Sequence, residues 1–245
     1  MIYAYRSDTG LRKKNEDSFY IPGEGDIPVV IVADGMGGHV AGEVASSRAI
    51  ERLVESIGSA PGGLNSITLL RQAMSEANRS VFDLAMTDDR YTGMGTTVVM
   101  ALLEPDKYTV ASIGDSRLYH FDGRRIKRVT KDHTYVQELV SAGLITEEQA
   151  RTHPQRNLIT RAVGTARFEK ADAGVKSWKK GDKLLLCSDG LCGSVAESEM
   201  EMILRTTGDL LSCCDKLAEL ALKNGSTDNI TVVLAENTEG VSDDR

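Results

Sequence analysis

The turn Phe121-Asp122-Gly123-Arg124 has room for a hairpin but not for the dozen or more residues of a parallel crossover, so the strands of this chain pair mainly antiparallel. Short apolar or alternating runs mark the strands: Ile2 to Tyr5, Ser18 to Ile21, Pro28 to Ala33, Thr96 to Leu103, Tyr108 to Ile113, Arg117 to Phe121, Lys183 to Cys187 and Ile230 to Ala235. A different period marks the helices. Ile67, Leu70, Met74, Ala77, Val81 and Leu84 share one face, as do Ile50, Leu53, Val54 and Ile57, and Leu210, Cys214, Leu217 and Ala221 repeat the pattern before Gly225 stops it. Helices grouped over 42–86, 134–152 and 197–224, instead of alternating with strands, predict an α+β fold with helices covering sheet faces and disfavour a Rossmann-like sheet.

A chain of 245 residues, 41% hydrophobic, can bury one sizeable core without disulfides, and a single domain over 1–236 followed by a frayed acidic tail, 237–245, is expected. The formal charge of -7 and the lack of a dense Lys/Arg block argue against a nucleic-acid partner. No run approaches the length of a membrane span and the first ten residues are polar, so the expected location is cytoplasmic, with no membrane partner. Cys187, Cys192, Cys213 and Cys214 form no C-x-x-C pair and read as buried, reduced thiols.

Two strands end alike, in VVIVADG at Asp34-Gly35 and LLLCSDG at Asp189-Gly190, and ASIGD at Asp115 is a variant. Each places a carboxylate where a rigid strand meets a turn, with a glycine that lets backbone or ligand come close. Asp228 precedes the strand at Ile230, and Glu16-Asp17 precede the strand at Ser18. If these ends converge, five or six carboxylates share one cleft, and each close pair repels by roughly 4 kcal/mol at 4 Å and an effective dielectric of about 20. Multivalent cations resolve that repulsion. The ligands are oxygens, and His39, His120, His133 and His153 share no ligand spacing, so the ions are expected to be Mg²⁺ or Mn²⁺ and not zinc. Arg12, in the basic run Arg12-Lys13-Lys14, lies four residues before Glu16, and its guanidinium fork suits two oxygens of a phosphoryl group.

The segments RKKNED, VADGMGGHVAGE, GMGTT, IGDSR, CSDGL and STDNITV, in this order and spacing from about Arg6 to Ala235, closely resemble the metal-dependent protein Ser/Thr phosphatases of the protein phosphatase 2C family, particularly the compact bacterial type. The resemblance implies a four-layer αββα sandwich, two mainly antiparallel sheets flanked by helix pairs, with two metals at one edge. It also implies roles: Asp34 bridges the metals, the Gly35 carbonyl binds one, and Asp189 and Asp228 bind the other. Glu16 and Asp17 hold metal-bound waters, Arg12 binds the phosphate, and Asp115 helps hold a weaker third metal. Asp34, Asp189 and Asp228 are thus the expected catalytic set. Paired metals about 3.5 to 4 Å apart lower the pKa of a shared water toward 7, supplying hydroxide without a covalent intermediate. Neither Cys187 nor Cys192 lies in a C-x5-R loop, so no thiolate nucleophile is offered.

Many eukaryotic members carry histidine directly after the first Asp-Gly, where this chain has Met36, and His39 is the nearest candidate general acid. Residues 131–166 correspond to the flap beside the active site of bacterial relatives. The expected substrates are phosphorylated proteins, the expected signalling partner a bacterial Ser/Thr kinase, and the default state a monomer. Two alternatives are a catalytically inactive phosphoprotein-binding relative, disfavoured because the metal-ligand positions are intact, and a two-metal phosphodiesterase, disfavoured by the acidic balance.

Overall fold

The computed structural model describes residues 1–37 and 41–239, and every statement of count or absence below refers to these. A five-stranded sheet has the order β1 (Ile2–Asp8), β11 (Ile230–Glu236), β10 (Lys183–Cys187), β7 (Arg117–Phe121), β8 (Ile126–Arg128). A second has the order β2 (Asp17–Tyr20), β3 (Val29–Met36), β5 (Val98–Leu103), β6 (Lys107–Ile113), β9 (Asp172–Ser177), with the two-residue β4 (Gly95–Thr96) pairing the end of β3. Every strand pair is antiparallel.

Alternation along the strands builds the layers. Val30 and Val32 face Leu184, Leu186, Val233 and Ala235 between the sheets. Val29, Ile31 and Ala33 face the other way, onto α1 (Ala41–Gly58) and α2 (Ser66–Ala85). Leu185, Cys187, Val232 and Leu234 likewise turn outward onto α5 (Asp189–Cys192), α6 (Glu197–Thr206) and α7 (Leu210–Lys223). Burial of both strand faces explains why antiparallel strands here read as unbroken apolar runs. The result is helices, sheet, sheet, helices.

Several elements differ from the sequence reading. β3 runs through Asp34 and Gly35 instead of stopping at Ala33, because Asp17 pairs with Asp34 and Thr96 with Gly35. Asp189 opens a four-residue helix, not a turn. Ile126–Arg128 is the partner that the Asp122-Gly123 turn requires, and the polar edge strand Asp172–Ser177 had no apolar period to betray it. All four cysteines are free, but Cys192, at the end of α5, is only partly buried. Of the expected tail, Asn237 is fully buried and donates to the Pro105 carbonyl, while residues 240–245 lie outside the described residues.

Parity of strand direction decides which ends meet. β3 and β6 flank β5 and run the same way, so Asp34 and the Gly114-Asp115 turn lie on one rim. β10 leaves that rim of the other sheet where β11 enters it, which juxtaposes Asp189 and Asp228.

Candidate active site

Asp34 is the centre of the acidic rim. Burial first, then the charges of Asp17, Asp189, Asp115 and Asp228, push its carboxyl well above the usual range. Its backbone is clamped: the Asp34 amide donates to Thr97 Oγ1 at 3.1 Å, and its carbonyl accepts from the Thr97 amide at 2.8 Å and Thr96 Oγ1 at 2.9 Å. The two threonines of GMGTT therefore fix the position of this aspartate. Thr97 Oγ1 also meets Ser116 Oγ at 2.7 Å, which ties the Asp34 strand to the residue beside Asp115.

Asp17 faces Asp34 across the β2–β3 pair, where like charges destabilise a sheet. Its Oδ2 accepts from Ser188 Oγ at 2.8 Å, while burial and the charges of Asp189 and Asp228 push it up to about 7. Burial also raises Asp115 to about 7, with Asp189 and Asp132 adding to it. Gly114, just before Asp115, donates to His133 Nδ1 at 3.0 Å. Asp189 is raised by burial and by Asp228, and a hydrogen bond with Asp34 draws it partly back. Glu16 is raised by burial, against the pull of Arg12.

Gly35 and Gly42 let β3 and α1 touch. A Cβ on Gly35 would stand 2.1 Å from the Gly42 carbonyl oxygen, and one on Gly42 would stand 2.8 Å from Glu16 Oε1. Arg12 reaches into the rim from the loop after β1, with Nη2 at 2.7 Å from Asp228 Oδ2, and its side chain is 54% exposed. The other Asp228 oxygen accepts from the Asn229 amide at 2.9 Å. His39 lies outside the described residues. Ser188, Thr97 and Ser116, which hold the acids in place, and Asn229, which ties the backbone of the Arg12 loop, were missed by the sequence reading; their only signal was adjacency to the acidic motifs.

No three His, Cys, Asp or Glu side chains among the described residues stand at ready-made cage spacing. The donor set nonetheless fits hard divalent cations. Asp17 Oδ1, Asp115 Oδ1 and Asp189 Oδ1 are enclosed with no hydrogen-bond partner. Buried acceptors are normally satisfied, so three orphaned carboxylate oxygens beside a strongly perturbed Asp34 suit ligands to a cation. All are oxygens, as Mg²⁺ and Mn²⁺ require.

The protein phosphatase 2C family model matches residues 9–234. The serine/threonine phosphatase Stp of Listeria monocytogenes is 38% identical over 237 residues, covering 95% of this chain and 94% of that protein. The crystal structure of serine/threonine phosphatase Stp1 from Staphylococcus aureus superposes with a TM-score of 0.88 at 36% identity, covering 96% of this chain and 94% of that one. The catalytic domain of the phosphatase PstP, solved in complex with two manganese ions, gives a TM-score of 0.85 at 36% identity, covering 96% and 97%. With the acidic rim placed where two antiparallel sheets meet, and a match spanning nearly its whole length, the chain belongs to the protein phosphatase 2C family and is a metal-dependent protein serine/threonine phosphatase.

Proposed function

We propose that Asp34, the Gly35 carbonyl, Asp189 and Asp228 hold two divalent ions, Mn²⁺ or Mg²⁺, with Glu16 and Asp17 orienting their waters and Asp115 contributing to a weaker third site. The observation that carries this is the set of three enclosed, unpartnered carboxylate oxygens around Asp34. Such ions supply hydroxide near neutral pH and offset phosphoryl charge. The chain's own residues do the rest. Arg12 leaves Asp228 and presents its fork to two phosphoryl oxygens, and the Thr96 and Thr97 clamps keep Asp34 from yielding as charge develops.

The decisive measurement is para-nitrophenyl phosphate hydrolysis before and after chelation. Activity is expected to fall more than about 100-fold without divalent ions and to return with Mn²⁺ or Mg²⁺, since losing even one outer hydrogen-bond partner of a metal ligand costs 10- to 100-fold. Hydrolysis indifferent to chelation would remove the two-ion reading.

Substrates on this reading are phosphoserine and phosphothreonine in proteins, which presupposes a Ser/Thr kinase whose marks are removed. The acidic balance supports a working unit without nucleic acid. A monomer in the cytoplasm completes this reading, and no described helix is long and apolar enough to cross a membrane.

Residues 131–166, proposed as a flap within the single domain, carry α3 (Tyr135–Ser141) and α4 (Glu147–Thr152) and are pinned beside Asp115 by His133. Leu144 and Leu158 on this segment are exposed. Deleting α4 and its flanking turns is expected to lower kcat/KM on a phosphoprotein about tenfold more than on an aryl phosphate, because only the protein substrate reaches that far. Equal losses on both would remove the flap from substrate choice.

A further inference from the structure

Arg12 has an exposed head whose one described polar contact is Asp228, so little besides its own loop decides where the guanidinium points. That loop is gathered by one side chain. Asn229 Nδ2 donates to the Thr9 carbonyl and to the Lys14 carbonyl, each at 2.9 Å, and Asn229 Oδ1 accepts from the Glu16 amide at 2.8 Å. Three bonds thus close the segment around Arg12 like a drawstring, from a residue only 5% exposed. Gly10 fixes the register. It has φ +59°, and a Cβ there would stand 2.2 Å from the Asp228 carbonyl oxygen.

We infer that Asn229 is a positioning residue for phosphate binding: its carboxamide sets the reach of Arg12 toward the phosphoryl group by fixing the loop from Thr9 to Glu16. The inference rests on the reading of Arg12 as the phosphoryl-binding residue. A buried carboxamide that satisfies two carbonyls and an amide cannot be replaced by alanine without leaving those groups to water, so the loop should loosen while Asp34 keeps its clamp on Thr96 and Thr97.

The test compares Asn229→Ala, the milder Asn229→Ser and Arg12→Ala, singly and with Asn229→Ala combined with Arg12→Ala. The readouts are inhibition by inorganic phosphate and steady-state kinetics on para-nitrophenyl phosphate in Mn²⁺, Mn²⁺ affinity by calorimetry, and amide hydrogen exchange of the metal-free protein. Asn229→Ala is expected to raise the phosphate inhibition constant and KM about tenfold and to change kcat less than about threefold. Mn²⁺ affinity should hold, exchange over residues 10–16 should quicken, and Asn229→Ser should fall between. On the Arg12→Ala background the same substitution should cost less than about twofold, because two residues acting through one contact are not additive.

Full additivity, unchanged exchange over 10–16, or a kcat loss with phosphate inhibition intact would overturn the inference. An Arg12→Ala variant with unaltered phosphate inhibition would remove the reading of Arg12, and this inference with it. Inhibition sensitive to Arg12 but not to Asn229 would remove this inference alone.

Discussion

Asp34→Asn is expected to abolish phosphatase activity, by more than about 100-fold, and at the same time to raise the melting temperature of the metal-free protein. The two effects have one cause. Asp34 sits among four other aspartates in a buried rim, and its carboxyl is held well above the usual range by burial and by their charge. A close carboxylate pair repels by roughly 4 kcal/mol at 4 Å and an effective dielectric near 20, which sets a ceiling, and a neutral isostere should recover on the order of 2 kcal/mol. For a chain of this length that is a rise of about 4 to 8 °C. The pH dependence follows in sign. A carboxyl whose folded-state pKa is raised stabilises the fold fully below its unfolded value, and that contribution is lost as pH rises through the folded value. Asp17 and Asp115 are both pushed up to about 7, so the metal-free wild type should lose stability between about pH 4 and 7. The Asn variant should lose less, and Mn²⁺ should stabilise the wild type more at pH 7.5 than at pH 5. Calorimetry on chelated protein decides it: a melting temperature lowered by the substitution, or indifferent to pH in the wild type, would show that the rim carries no such repulsion.

The acids and the layers were legible before the structure because each leaves a local mark. Short apolar runs such as Val29 to Ala33 and Ile230 to Ala235 announce strands, and the Asp-Gly dipeptides announce carboxylates at strand ends. What positions those acids was not legible. Ser188 grips Asp17 from the other sheet, Thr97 joins Asp34 to Ser116, and Asn229 gathers Glu16 and the Arg12 loop; none of these bonds is local in the sequence. Small polar residues have no period and no composition signal, since their partners are fixed only when distant segments of the chain come together. The edge strand Asp172–Ser177 escaped for a related reason: exposed on its outer side, it has no apolar face to alternate. The Arg12–Asp228 contact is likewise tertiary, joining residues at opposite ends of the chain.

The glycines of the two Asp-Gly pairs are as constrained as their aspartates. A turn reading predicts that each glycine is needed for a left-handed backbone, so that Asn would serve in its place. Neither Gly35 nor Gly190 has a positive φ. Both instead stand where another backbone arrives. A Cβ on Gly35 would lie 2.1 Å from the Gly42 carbonyl oxygen and 2.6 Å from that of Glu16, and one on Gly190 would lie 2.0 Å from the Asn229 carbonyl oxygen. The same device thus seats each aspartate: the missing side chain admits a neighbouring peptide unit directly behind the carboxylate, α1 behind Asp34 and the start of β11 behind Asp189. Because the obstacles are backbone, no rotamer change relieves them. Gly35→Ala and Gly190→Ala are each expected to cost about 3 kcal/mol or more, at or beyond the upper end of core overpacking, which is about 6 to 12 °C in melting temperature. Activity should fall with Mn²⁺ affinity, since the displaced peptide carries Asp34 or Asp189 with it. Gly174, on edge strand β9, has nothing within 4 Å of its Cβ position, so Gly174→Ala should stay within about 0.5 kcal/mol of the parent. Denaturant melts of the three alanine variants and of Gly35→Asn separate the readings: Gly35→Asn as stable as the parent would restore the turn, whereas losses confined to Gly35 and Gly190 identify close approach as the reason the sequence repeats itself there.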